Sequence, residues 1–272
     1  MIVQRARPML GTLVQMRVEC VDEHAALRAI DTAFAEVAAV HRCMSFHESD
    51  SDLSHLHRTS AGTPVQVDAR THTVLACALD VAAASAGLFD PTVAAQQVAR
   101  GWLPRPDSAF SPDPRASWRD IELLDHDRVR LRRPLWIDLG GIAKGYAVDR
   151  AVDILVAAGV TQGCANAGGD LRVFGPRAER IHLRSAVGYL SALELGDAAV
   201  AGSTGATHVH GRTRATAHAG AGVGVVAPTC MIADALTKVV LAAGVSSSAA
   251  VLARFAAQAC AFETASGWRV AA

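Results

Sequence analysis

A chain of 272 residues is long enough to bury a substantial core, and that length fits one large domain or two closely joined ones. Half of it is apolar (51%), and 26 Lys and Arg balance 26 Asp and Glu, which excludes a general electrostatic pull toward nucleic acid or anionic lipid. No stretch reaches the roughly 18–20 uninterrupted apolar residues of a spanning helix, so no membrane span is expected.

The amino-terminal stretch MIVQRARPMLGTLVQMRVEC carries basic residues but no continuous apolar run and no small-residue cleavage site, which leads to the expectation of a cytoplasmic protein. Residues 11–20 alternate apolar and polar side chains as a half-buried strand does, and 22–43 follow with apolar residues at helical spacing. A polar, histidine-rich loop is expected over 45–60, then a helix over 69–86 closed by Gly87. The prolines at 104, 106, 112 and 114 beside Trp102 argue for a surface loop over 101–118. Residues 128–139 read as a hairpin or paired strands that run into a glycine pair and a helix from about 143 to 158, capped by Gly159. A short strand near 163–166 leads to a polar turn, and 180–187 and 192–200 have the pattern of further strands. The Gly-, Thr-, Ala- and His-rich region 202–222 has no apolar period and reads as a long loop. A buried strand, GVGVVAP, and a helix over 231–243, starting near an acidic first turn at Asp234, complete the pattern. No repeat and no linker divides the chain. The six cysteines stand apart without a CxxC pair, which suits buried thiols in a reducing compartment better than a zinc or redox site.

The densest chemical signal is 136–149 (WIDLGGIAKGYAVD), a strand ending in Asp138 and a glycine pair before a helix. Such a turn lets backbone N–H groups approach a phosphate, and Lys144 adds a point charge, although an ordinary tight turn with a surface lysine has the same composition. It is neither a Walker loop nor a GxGxxG motif. Residues 166–170 (NAGGD) form a second glycine-paired turn. Phe89 and Asp90, after Gly87 and Leu88, offer a ring face and a carboxylate, or simply a capping Asp before Pro91. Asp234, Thr237 and Lys238 share one helical face, and an Asp with a hydroxyl at that spacing suits a hard cation such as Mg²⁺; a surface Asp–Lys pair is the competing explanation. His55, His57, His208, His210 and His218 show no helical ligand pattern and are expected in loops.

Taken in order, residues 7–12 (RPMLGT), 43–45 (CMS), 87–93 (GLFDPTV), 137–150 (IDLGGIAKGYAVDR), 166–170 (NAGGD), 199–203 (AVAGS), 225–228 (VVAP) and 233–236 (ADAL) resemble the ApbE family of FAD:protein FMN transferases. The resemblance implies an α+β fold, a mixed, largely antiparallel sheet with flanking helices, in a single domain over 1–272. It implies FAD as substrate, held by Met44, Leu88, Phe89 and Asp90, with Asp138 and Lys144 at the nucleotide. It also implies Mg²⁺ near the pyrophosphate, bound by the Gly141 carbonyl, Asp234 and the residues one turn on, Thr237 and Lys238, with Asp234 and Lys238 catalytic. The partner it implies is an acceptor protein whose Thr or Ser hydroxyl takes the FMN while AMP leaves; water in its place would hydrolyse FAD. The chain departs from the family pattern at Lys238, where a threonine is usual, at Gly202 and Ser203, and in 208–214, where His210 stands near an expected Asp. A protonated ammonium cannot ligate Mg²⁺, so either Lys238 takes the metal's charge role or Thr237 becomes the ligand. The alternative reading is a flavin-binding protein that is non-catalytic or hydrolyses FAD weakly.

Overall fold

The structure is a computed structural model that describes residues 1–185, 188–205, 208–216, 222–264 and 267–270, with side chains over 1–182, 193–205, 208–216 and 222–259. His218, the Cys260 side chain and parts of the expected 202–222 loop lie outside the described residues. Strands β1 (Ile2–Met9) and β2 (Thr12–Glu19) form a hairpin whose turn residues, Leu10 and Gly11, both have positive φ (56° and 70°), the geometry that follows strand twist. In β2 the alternation is real, with Val14, Met16 and Val18 buried. β1 is exposed at most positions, so no apolar period marks it in the sequence.

Helix α1 (Glu23–Met44) is capped by Asp22 and buries Ala26, Ile30, Ala33, Phe34, Val37 and Val40 on one face. The expected histidine-rich loop instead contains a short helix, α2 (Asp52–Arg58), capped by the Ser51 hydroxyl, so His55 and His57 are helical. β3 (Pro64–Gln66), α3 (Ala69–Ala84) and α4 (Ala94–Ala99) follow, then β4 (Ile121–Leu124) and β5 (Arg128–Leu131). The expected paired strand across 128–139 stops at Leu131: β5 lies between β3 and β4, and beyond Pro134 the chain turns away, its Asp138 N–H donating to Pro91 O at 2.8 Å.

α5 (Ala143–Ala157), β6 (Gln162–Ala167) and β7 (Asp170–Phe174) lead to a separate hairpin of β8 (Glu179–Ser185) and β9 (Gly188–Leu195). The expected strand over 192–200 is thus two, because Gly196 and Asp197 separate β9 from β10 (Ala198–Thr204), and β10 takes in the start of the expected loop. β11 (Gly222–Ala227), α6 (Cys230–Ala243), α7 (Val245–Arg254), β12 (Gln258–Thr264) and β13 (Gly267–Val270) complete the described elements. The main sheet runs β1-β2-β6-β7-β10-β11-β12-β13, antiparallel at each pairing. α5 packs against both α1 and α6, with α5 over β6 and β7 and α6 over β10 and β11. On the sheet's other side Leu171, Val173, Leu195 and Val200 form a smaller core. Thr229 caps α6, whose first turn holds no acidic residue; Asp234 therefore sits farther in than expected and is fully buried. No helix among the described residues is long and apolar enough to cross a membrane.

His57 ties α2 to the loop before α5: its Nε2 accepts the Ile137 N–H at 2.9 Å, 1% of the residue is exposed, and Phe46 lies against the ring. Burial pushes its pKa from 6.5 down to about 4. An unfolded chain takes up a proton near pH 6.5 that folded His57 refuses until about pH 4, so this contribution to stability is complete above 6.5 and lost as pH falls between those values. The loss amounts to roughly 3 kcal/mol. His57→Gln, whose amide oxygen can still accept from Ile137, is expected to flatten the fall in melting temperature between pH 6.5 and 4; an unchanged acid limb would refute the assignment.

Candidate functional site

A cavity of about 600 Å³, within the ordinary range for a small-molecule site, opens where α1, α5 and α6 end near the tip of β10. Its wall includes His41 and Met44 from the last turn of α1, Phe89, Asp90 and Pro91 after α3, Asp138, Gly140 and Gly141 before α5, Lys144 in that helix, Ser203 and Thr204 of β10, His208, and Lys238 of α6. The glycine pair thus sits at the amino end of α5, where helix N–H groups favour an anion.

Two buried helices fix the cavity floor. Gly145 of α5 meets the first turn of α6 so closely that a methyl group there would lie 2.2 Å from Cys230 O. Asp149, one turn later, accepts the N–H groups of Cys230 and Met231 at 2.8 Å each and a bond from Arg172 at 3.2 Å. A carboxylate reaching across from one helix thereby satisfies the first donors of the next.

On this floor cations and carboxylates alternate. Lys144 Nζ is paired with Asp170 Oδ2. Lys238 Nζ lies 2.6 Å from Asp234 Oδ1, 2.7 Å from Ser203 Oγ, 3.0 Å from Thr237 Oγ1 and 3.3 Å from Asp234 O. The Thr237 hydroxyl donates to Asp234 O at 2.6 Å, and Gly145 N–H reaches Asp234 Oδ2 at 3.4 Å. Burial alone would push the Asp234 carboxyl upward, but Lys238 and Lys144 outweigh it and hold the group ionised. Burial also pulls Lys144 down, and the charges of Asp234 and Asp170 more than reverse that. The Asp170 carboxyl is moved upward by burial and by Asp234, against the attraction of both lysines.

Elsewhere on the wall, Asp138 accepts from Gln97 Nε2 at 3.0 Å and from Gly140 N–H at 2.9 Å. Asp90 is occupied: its carboxylate accepts from Thr92 N–H, from the Thr92 hydroxyl and, at 2.9 Å, from Arg214 Nη2. Together with Gly211 N–H on Leu88 O and Arg212 on Ser85 O and Ala86 O, this bonding straps residues 210–214 to the turn after α3. His208, behind Lys238, is held neutral by burial and by the Lys238 charge, with a pKa lowered to about 4, and its Nε2 has no hydrogen-bond partner among the described residues.

Of the residues expected at the site, Met44, Phe89, Asp90, Asp138, Gly141, Lys144 and Lys238 meet on one wall. A methyl group on Gly141 would come 3.1 Å from Lys238 Cε and 3.7 Å from Phe89 Cε2, so three distant segments touch at one point. Asp234 and Thr237 are fully buried behind Lys238. Leu88 does not reach the wall; its side chain joins the hydrophobic core. Asp170, Ser203, Gln97, His208 and Arg214 were not among the expected site residues. Asp170 and Ser203 stand in the glycine-turn and β10 segments that carry the resemblance, whereas Gln97 and Arg214 have no local signal.

The family model described as "ApbE family" matches residues 10–262. The chain is 30% identical over 190 residues to the FAD:protein FMN transferase of Treponema pallidum, a match that covers 63% of this chain and 51% of that protein. With the FAD:protein FMN transferase of Rhodobacter capsulatus it shares 31% over 182 residues, covering 62% and 34%. The chain therefore spans about half the length, or less, of these curated relatives. Among solved structures, the flavinyl transferase ApbE of Pseudomonas stutzeri superposes with a TM-score of 0.84 at 20% identity, covering 100% of this chain and 95% of that one. The flavin transferase ApbE of Vibrio cholerae superposes with a TM-score of 0.80 at 22% identity, covering 99% and 96%. These superpositions establish the α+β fold, and with a family model matched over 10–262, the chain belongs to the ApbE family.

Proposed function

We propose that residues 1–272 act as one catalytic unit that transfers FMN from FAD to a Thr or Ser hydroxyl of an acceptor protein, releasing AMP. The observation that carries this reading is the cavity in which Phe89, Asp138 and the Gly140-Gly141 turn at the start of α5 face Lys144 and Lys238. Met44 and Phe89 offer apolar surface to the flavin ring, Asp138 accepts from nucleotide hydroxyl or amino groups, and the helix start with two ammonium groups suits a diphosphate. Asp90, spent on Arg214 and Thr92, shapes this wall from behind.

In the proposed reaction the acceptor oxygen attacks the phosphorus that bears riboflavin. A new P–O bond forms, the bond to the bridging oxygen breaks, and AMP departs with that oxygen and its electron pair. The hydroxyl proton passes to water or to the phosphate of the departing AMP. Positioned positive charge at the bridging oxygen supplies the rate enhancement.

The Mg²⁺ that the resemblance implies does not fit these residues. Its expected ligands are Gly141 O, Asp234, Thr237 and Lys238, yet one of the four is an ammonium, 2.6 Å from the carboxylate oxygen that would face the ion. The same ammonium lies 3.0 Å from Thr237 Oγ1, the hydroxyl oxygen that would otherwise ligate the ion, and among the described residues no three carboxylate, imidazole or thiol groups converge. No step is assigned to the ion.

Purified protein incubated with FAD and an acceptor carrying an exposed Thr is expected to leave the acceptor covalently fluorescent after denaturing electrophoresis. Protein that binds FAD yet labels no acceptor would favour the flavin-binding, weakly hydrolysing alternative, and absence of FAD binding would defeat both readings.

A further inference from the structure

We infer that Lys238 is a built-in cation which replaces a divalent metal at this site, so that flavin transfer by this chain proceeds without one; the inference rests on the reaction proposed above. Four oxygens surround its Nζ: Asp234 Oδ1 at 2.6 Å, Ser203 Oγ at 2.7 Å, Thr237 Oγ1 at 3.0 Å and Asp234 O at 3.3 Å. A carboxylate, two hydroxyls and a backbone carbonyl make a donor set suited to a hard cation, and here a covalently attached one occupies its centre.

Charge counting points the same way. The buried carboxylates on the floor, Asp170 and Asp234, are each matched by one ammonium, Lys144 and Lys238. A dication added there would meet two nearby positive charges and, among the described residues, no unpaired carboxylate on that floor. Ser203 and Thr237, which line the same point from β10 and α6, hold the ammonium so that it faces the cavity instead of lying along the helix surface. The ammonium has three N–H groups for four oxygens, so exchanging one weak partner, the Asp234 carbonyl, for a phosphate oxygen leaves its strongest contact intact. An exposed Asp–Lys pair would place neither group in a cavity; here Asp234 is fully buried and the Lys238 side chain is 17% exposed.

Two readouts test this. Manganese(II) binding is followed by electron paramagnetic resonance on wild type and Lys238→Thr, each with FAD; transfer to the acceptor is followed with EDTA or with added Mn²⁺. Wild type is expected to bind no Mn²⁺ and to transfer within about twofold of the same rate in both conditions. Lys238→Thr is expected to lose metal-free transfer by about a hundredfold or more and to gain Mn²⁺ binding together with Mn²⁺-dependent transfer. Mn²⁺ bound by wild type, or wild-type transfer abolished by EDTA, would overturn the proposal, and both measurements are made on the unaltered protein, so neither depends on the variant folding. If wild type binds FAD but labels no acceptor in either condition, the transfer reading fails by itself, and the spectroscopic comparison still decides whether Lys238 holds the metal's place.

Discussion

Asp149→Ala is expected to lower unfolding free energy by about 3–5 kcal/mol, an unusually large effect for one side chain. The Asp149 carboxylate is the partner of a buried backbone donor, Cys230 N–H, and a half-buried one, Met231 N–H, each at 2.8 Å, and it also neutralises Arg172. Truncation leaves those N–H groups without an acceptor, and each unsatisfied buried donor costs about 1–3 kcal/mol. The cap supplied by Thr229 does not compensate, because its hydroxyl takes a third donor, Ile232 N–H, and at a long 3.4 Å. Arg172 keeps Asp153, at 3.7 Å. Burial pushes the Asp149 carboxyl upward, against the pull of those same hydrogen bonds and of Arg172, so the ionised form depends on the partners it serves. Asp149→Asn, which keeps one acceptor oxygen, should lose about half as much. Urea unfolding of the two variants measures both values, and a loss under about 1 kcal/mol for Asp149→Ala would show that water or the Thr229 cap takes over. Because α6 also carries Asp234 and Lys238, FAD affinity is expected to fall with stability.

The sequence made the cavity's outline legible wherever the signal was local. Residues 136–149 show a carboxylate, a glycine pair and a helix start within one segment, and Asp234, Thr237 and Lys238 fall on one face by helical spacing alone; the structure has all of these in one place. What spacing could not show is which partner each charged group takes. Lys144 finds Asp170 across a strand and a turn, Lys238 finds Ser203 at the end of β10, and Arg214 reaches back 124 residues to Asp90. Such pairings are set by how α5, α6 and the sheet stack, and a one-dimensional pattern carries no record of them. Strand β1 escaped for another reason: its side chains are mostly exposed, and an edge strand without a buried face has no period to detect. His57 escaped because a helix as short as α2 shows less than two turns of pattern, and its burial comes from the loop at Ile137 that folds over it.

Gly145→Ala should destabilise the protein even though alanine is the better helix former. Within a helix the exchange ordinarily gains about 0.5–1 kcal/mol. At this position the added methyl would stand 2.2 Å from Cys230 O, 2.5 Å from Cys230 C and 2.8 Å from Met231 Cα. All three are backbone atoms of a helix start that Asp149 holds in place, so no side chain can rotate aside and the two helices must separate. Overpacking of that kind costs about 1–3 kcal/mol and more when backbone is the obstacle, so the clash outweighs the propensity gain. For a chain of this size, that places the expected fall in melting temperature at about 4–10 °C. The displacement also has a functional consequence, since separating α5 from α6 moves Lys144 away from Asp234 and Lys238 and breaks the alternation of charge on the cavity floor. Flavin fluorescence titration should then show weaker FAD binding at temperatures where the variant is still folded. A melting temperature and an affinity both equal to wild type would mean that the helices yield without strain, and that their close crossing at Gly145 does not hold the two ion pairs together.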